Sequence, residues 1–235
     1  MLDTQLLTIL GLGFVLGLRH ALDADHLAAV STVLAQRPTF KASGLIGFWW
    51  GLGHTVTLLV VGCVVMAMNV TISSRLAEAC EFGVGAMLVA LGVSLALKMF
   101  REGWHLHTHE HDGERHLHFH SHRFGADHIH AHWLKHSLQP LLIGMAHGLA
   151  GSAALLLAVL AAVRTVGEGM AYILVFGAGS IFGMMLVGLA LSVPVVWSLS
   201  FGRRAYWAVQ GLASLGSIGL GVAMMVRIGL GGGSL

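Results

Sequence analysis

The chain has 235 residues, of which 56% are apolar and only 10% charged, and its mean hydropathy is +0.79. Water-soluble domains carry about 25% charged residues, so a soluble globule is excluded. The net charge is +2 and the basic residues are scattered, which gives nucleic-acid binding no support. The 32 glycines against 3 prolines fit a polytopic, all-α membrane protein, in which glycine lets helices approach closely. Cys63 and Cys80 form no C-x-x-C pair and suggest neither a disulfide framework nor a redox centre. The start, Met-Leu-Asp-Thr-Gln, lacks a basic n-region, so the first apolar stretch is expected to be a span and not a cleaved signal.

A hydrocarbon core about 30 Å thick takes roughly 20 residues of helix. Six stretches meet that length: 5–34, 43–68, 82–99, 138–163, 169–198 and 205–228. The first is interrupted by Arg19, His20, Asp23, Asp25 and His26, and is either one long helix or a broken one. The polar, aperiodic stretch 100–137 is expected outside the bilayer.

Gly51–Gly62 aligns with Gly177–Gly188 at an offset of 126, and Phe14–Ala29 with Leu141–Leu156 at 127, matching Gly17 to Gly144 and His20 to His147. The expected organisation is therefore a three-helix membrane repeat over 1–99, a loop over 100–137 and a second three-helix repeat over 138–235. Three helices per copy invert the second in the membrane, a 3+3 plan that puts a substrate site at the repeat interface. Arg37, Lys41, Lys98, Arg101, Arg115, Arg123, Lys135, Arg203 and Arg204 fall on one side, and Arg75, Arg164 and Arg227 on the other. That asymmetry predicts an inner-membrane protein with a cytoplasmic loop and outward termini.

The stretch RHALDADHLAAV brings His20, Asp23, Asp25 and His26 into an apolar segment. Ionisable groups at membrane depth cost a few kcal/mol each, so they point to function. An interfacial helix end with an Arg19–Asp23 pair would leave both imidazoles and Asp25 unexplained. On a regular helix His20, Asp23 and His26 share a face about 120° wide, with Asp25 nearly opposite. Nitrogen and oxygen donors without thiolates suit Ni(II), Co(II), Zn(II) or Cu(II) and argue against Cu(I) or Fe–S. His20 and His26 would stand about 9 Å apart along an ideal helix axis. One ion shared by both requires a departure from helix within 17–26, with Gly17 as its permissive point; otherwise the residues form successive stations.

His54, within GFWWGLGHTVT, is a further candidate ligand among apolar residues. Ser43, Gly47 and Gly51, then Gly144, Gly148 and Ser152, and Gly179 with Gly183 form small-residue ridges for tight packing. His147 occupies the position of His20 in the second repeat, but Ala150 and Ala153 stand where Asp23 and His26 would, so that repeat lacks a full site.

WHLHTHEH, HLHFHSH and HIHAH, with His136, place 12 histidines in the loop. Alternate histidines in a flexible chain make many weak, interchangeable ligand sets that release metal as they protonate. The loop reads as a metal buffer or delivery arm, disordered without metal.

The motif RHALDADH resembles the signature of the nickel/cobalt transporter family, and GLGHT at 51–55 resembles its second histidine motif. The histidine loop and GMAHGLAGSAAL at 144–155 are similar to short relatives, the urease-accessory nickel permeases and nickel/cobalt efflux proteins. The resemblance implies secondary transport of Ni(II) or Co(II) as substrate, with no permanently bound cofactor. It makes His20, Asp23, Asp25 and His26 essential, and names cytoplasmic nickel chaperones or urease and hydrogenase maturation proteins as candidate partners. Six helices instead of about eight, with the signature on the first, depart from the usual pattern, and importers and exporters share the signature. The inside-negative potential favours import, with export as the alternative. From another class, a haem-binding electron-transfer protein would use His20, His54 and His147 as axial ligands but leave Asp23 and Asp25 without a role. An enzyme is not expected: there is no H-E-x-x-H, and no glutamate falls within the six predicted spans.

Overall fold

The computed structural model describes residues 4–68, 70, 72–101, 108–111, 114–117, 137–150 and 165–231. In chain order these form helices α1 (Thr4–His20), α2 (Ala24–Leu34), α3 (Phe40–Met68) and α4 (Ser74–Arg101), then strands β1 (Thr108–His111) and β2 (Glu114–Leu117). Helix α5 is described over 137–150, and α6 (Val166–Ser200) and α7 (Arg203–Gly229) complete the chain. Among the described residues the membrane region is all-helical. Helices α3, α4, α6 and α7 are each long and apolar enough to cross a bilayer, and α1 and α2 meet that test only together, as a pair bent by 54° at the break between them. The remainder of the predicted 138–163 span lies outside the described residues.

The break falls inside the predicted window. Backbone bonds run Ala21 N to Gly17 O, then shorten to Leu22 N to Arg19 O and Asp23 N to His20 O before α2 begins. Gly17 is not the permissive point. It sits within α1, where a Cβ would overlap the Phe176 carbonyl oxygen, so its bare backbone serves the contact with α6. Two other expectations are also corrected. Helix α4 starts at Ser74, so Glu78 and Glu81 lie within a candidate span, and Glu81 pairs with Arg227 of α7 at 3.9 Å. The loop is not wholly irregular, because β1 and β2 pair as an antiparallel ribbon.

Glycine ridges set the helix crossings. A Cβ on Gly47 or Gly51 of α3 would strike the backbone of Met184 or Ile181 on α6, and one on Gly183 would meet Ala21 and Leu18. The tightest crossings occur in exchanged pairs. Gly17 meets the Phe176 carbonyl while Gly144 meets that of Trp50, and Gly179 meets the Phe14 carbonyl while Gly53 meets that of Leu141. Adding 127 to the α1 residues and subtracting 126 from the α6 residues converts one member of each pair into the other. Two halves thus share one crossing geometry, α1 on α6 and α5 on α3.

Helix α2 is fixed from its far end. Tyr206 Oη and Gln210 Nε2 of α7 both donate to the Ala35 carbonyl, at 2.7 and 3.0 Å, and Thr32 Oγ1 donates to the Ala213 carbonyl at 3.3 Å. Ser214 and Ser217 of α7 donate in turn to the Gly92 and Leu88 carbonyls of α4. At the start of α6, Thr165 accepts a bond from the Glu168 N–H, with the T-x-x-E spacing of a capping box. A turn through Gly202, at φ 87°, joins α6 to α7. The bonds from α7 anchor the short helix beside the break, where the polar residues collect.

Candidate metal site

Breaking the first span removes the 9 Å offset that a regular helix would impose. The rings of His20, closing α1, and His26, in the first turn of α2, stand with centroids 4.7 Å apart. His54 projects from α3 to place its Nε2 3.1 Å from His20 Nε2, and His147 of α5 lies with its ring 4.9 Å from that of His26. Donor atoms of His20, His26 and His54 all fall within 4.8 Å of one another, as do those of Asp23, Asp25 and His26. His26 belongs to both groups.

The outer nitrogens are held by oxygen acceptors. His20 Nδ1 lies 2.7 Å from Asp23 Oδ2, His26 Nδ1 lies 3.0 Å from Asp25 Oδ1, and His147 Nδ1 lies 3.1 Å from the Ile143 carbonyl. Each contact places the ring proton on Nδ1 and leaves Nε2 as the lone-pair nitrogen, the arrangement common behind metal-ligating histidines. His26 Nε2 and His147 Nε2 are buried without a hydrogen-bond partner. Buried polar atoms are normally satisfied, so two orphaned lone-pair nitrogens in one cluster suit a ligand that supplies the missing partner. Two nitrogens ligating one ion at about 2.1 Å each stand about 3 Å apart when the angle between them is near 90°, so the His20–His54 spacing accommodates a metal between them.

Access is graded. The Asp23 side chain is 52% exposed, Asp25 26% and His20 17%, whereas His26, His54 and His147 are buried. Asp25, which a regular helix would turn away from the histidines, faces them, with its second oxygen 3.9 Å from His147 Nε2. All six candidate residues are therefore brought together, with the His147 ring against that of His26. The sequence reading missed the walls. Trp50, one turn before His54, stacks 5.0 Å from His147 and 6.5 Å from His26, and Phe176 lies 5.5 Å from His20. The i,i+4 spacing of Trp50 and His54 is the signal that could have found the first of these. The rings of His20 and His54, both axial candidates of the haem reading, stand with centroids 4.9 Å apart, too close in this arrangement to hold a porphyrin between them. Among the described residues no glutamate joins the cluster.

Residues 6–231 match the family described as high-affinity nickel-transport protein. The chain is 38% identical over 197 residues to the urease accessory protein UreH of Bacillus sp. strain TB-90, an alignment that covers 83% of this chain and 81% of that protein. Over 88 residues it is 35% identical to the high-affinity nickel transport protein of Cupriavidus necator, covering 34% of this chain and 24% of the other. No solved structure gives a significant match.

Proposed function

Because the chain belongs to the high-affinity nickel-transport protein family, we propose that it moves Ni(II), and Co(II) by the same ligand chemistry, inward across the cytoplasmic membrane through the His20–Asp23–Asp25–His26–His54–His147 cluster. The observation that carries this reading is the convergence of His20, His26 and His54 donor atoms within 4.8 Å at a break in the first span.

An ion shedding water meets Asp23 first, since it is the most exposed member, and its carboxylate attracts a dication while orienting His20. His20, His26 and His54 then replace hydration with imidazole nitrogen, a donor that suits Ni(II) and Co(II). His26 also borders Asp25 and His147, so small ring movements pass the ion from the first group to the second without returning it to water. His147 receives it on Nε2. The irregular backbone at 21–23 is tolerable at membrane depth because it lines this enclosed polar cluster.

Two three-helix units, 1–99 and 138–235, are inferred to rock about the cluster, and the exchanged glycine crossings support that division. The excess of Lys and Arg on one side supports a cytoplasmic loop with both termini outside. No nucleotide-binding motif occurs in the sequence, so the driving force assigned here is the membrane potential, about 2.3 kcal/mol per charge per 100 mV in favour of inward movement. Cytoplasmic nickel chaperones or urease maturation proteins are the proposed recipients, in keeping with the urease-accessory name of the Bacillus relative.

Equilibrium nickel binding to purified protein lacking 104–132 tests the site apart from the loop. One tightly held Ni(II) per chain is expected, lost in His26→Ala. Equal binding by both proteins would reject the cluster as the nickel site.

A further inference from the structure

Ser180 of α6 is fully buried, and its Oγ has no hydrogen-bond partner. Other buried serines are satisfied. Ser192 and Ser198 of the same helix and Ser43 of α3 donate to carbonyls three or four residues back, and Ser214 and Ser217 donate across to α4. A buried hydroxyl is normally paired in this way, so an unpaired one suits a ligand that completes it.

Its position points to the same ligand as the histidines. Helix α6 turns Phe176, Gly179 and Gly183 to α1 and Gly177, Ile181 and Met184 to α3. Ser180 falls on the strip between these two faces, toward the place where His20 of α1 and His54 of α3 meet. Gly177 packs on Thr55 and Gly51 on Ile181, which brackets Ser180 at the depth of His54.

The repeat identifies the residue a second time. Adding 126 to His54 gives Ser180, as adding 127 to His20 gives His147. That exchange holds at the cluster itself: Phe176 stands 5.5 Å from the His20 ring, and its counterpart Trp50 stands 5.0 Å from the His147 ring. The pair His20–His54 therefore corresponds to His147–Ser180. We propose that Ser180 Oγ is a further ligand of the transported ion, taking with His147 the role that His54 takes with His20. This assignment rests on the transport reading of the cluster. A hydroxyl oxygen is a neutral, harder donor than imidazole and holds Ni(II) or Co(II) less tightly. The two halves are thus unequal stations, with three imidazoles to capture the ion and one imidazole with a hydroxyl to let it go.

Cysteine tests the contact directly, because a thiolate bound to Co(II) adds a charge-transfer absorption in the near ultraviolet that imidazole and carboxylate ligands do not give. The probe is Co(II) titrated into the full-length protein purified in detergent. Ser180→Cys should show this band above the level of the parent, which carries Cys63 and Cys80. Adding His147→Ala to Ser180→Cys should weaken the band at least fivefold. The loop also binds Co(II), but it contains no cysteine and is silent here.

Ser180→Ala removes only the oxygen. Its thermal midpoint should equal the parent's or exceed it, because the hydroxyl makes no bond to lose. Maximal nickel uptake should fall at least fivefold, with no rise in the half-saturating concentration. Absence of the band in folded Ser180→Cys, or parental uptake by Ser180→Ala, would overturn the assignment. So would a fall in uptake accompanied by a lowered midpoint, which is the mark of a structural serine. Any of these beside a His26→Ala variant that has lost uptake would leave the cluster standing, whereas parental uptake by His26→Ala would overturn cluster and assignment together.

Discussion

His20 Nε2 and His54 Nε2 face each other at 3.1 Å, although 34 residues separate them in sequence. With His20 Nδ1 engaged by Asp23, the bond between the rings requires His54 to donate from Nε2, and an ion between them replaces that proton as the bridge. His54→Ala should therefore raise the half-saturating nickel concentration at least tenfold while the protein still inserts. Initial uptake rates across a nickel series check this. An unchanged concentration dependence would return His54 to the class of buried structural histidines.

On the proposed route the carboxylates act through the rings they hold. Asp23→Ala and Asp25→Ala each free an Nδ1 that is bonded at 2.7 or 3.0 Å, and loss of such a partner typically costs 10- to 100-fold in metal affinity or activity, roughly. Flux should be abolished in both alanine variants. Asn at either position retains an oxygen acceptor and should keep part of the activity. Normal flux in both Asp23→Ala and Asp25→Ala would remove the transport site from this segment.

Glycine positions give a test that involves no metal. A Cβ at Gly144 would overlap the Trp50 carbonyl, whereas nothing lies within 4 Å of one at Gly216. Overpacking costs about 1–3 kcal/mol or more. Gly144→Val should lower the thermal unfolding midpoint in detergent by several degrees, and Gly216→Ala should leave it unchanged. Equal midpoints would contradict the close crossing of α3 and α5.

Deleting 104–132 separates the loop from the pathway. On the proposed route the residues that strip water from the ion lie in the membrane, so flux should persist with altered rate or metal sensitivity. Its complete loss in a correctly inserted deletion would make the loop an obligatory part of the route.

Much of this was legible in the sequence, for physical reasons. Spans α3, α6 and α7 follow from unbroken hydropathy, and the ridges Ser43–Gly47–Gly51, Gly144–Gly148 and Gly179–Gly183 from small-residue spacing. The break was inferable from the demand that His20 and His26 meet, but its mechanism was not. Gly17 looked like a hinge because glycine serves both flexibility and close approach, and only the position of Phe176 distinguishes the two. Asp25 was turned the wrong way because angular placement on a helix assumes continuity through 21–23, where the chain turns instead. Glu81 escaped notice because hydropathy alone started the third span at 82, whereas α4 begins at Ser74 and pairs Glu81 with Arg227 of α7.

The measurement that bears most directly on transport through the His/Asp cluster is radiolabelled nickel flux at trace concentration in cells. It compares the parent chain, His26→Ala and a strain without the protein, all with the membrane potential intact. Accumulation above the protein-free level in the parent, abolished in His26→Ala and collapsed by dissipating the potential, is the predicted result. Accumulation by His26→Ala equal to that of the parent would contradict the site, and nickel content falling below the protein-free level would contradict inward transport.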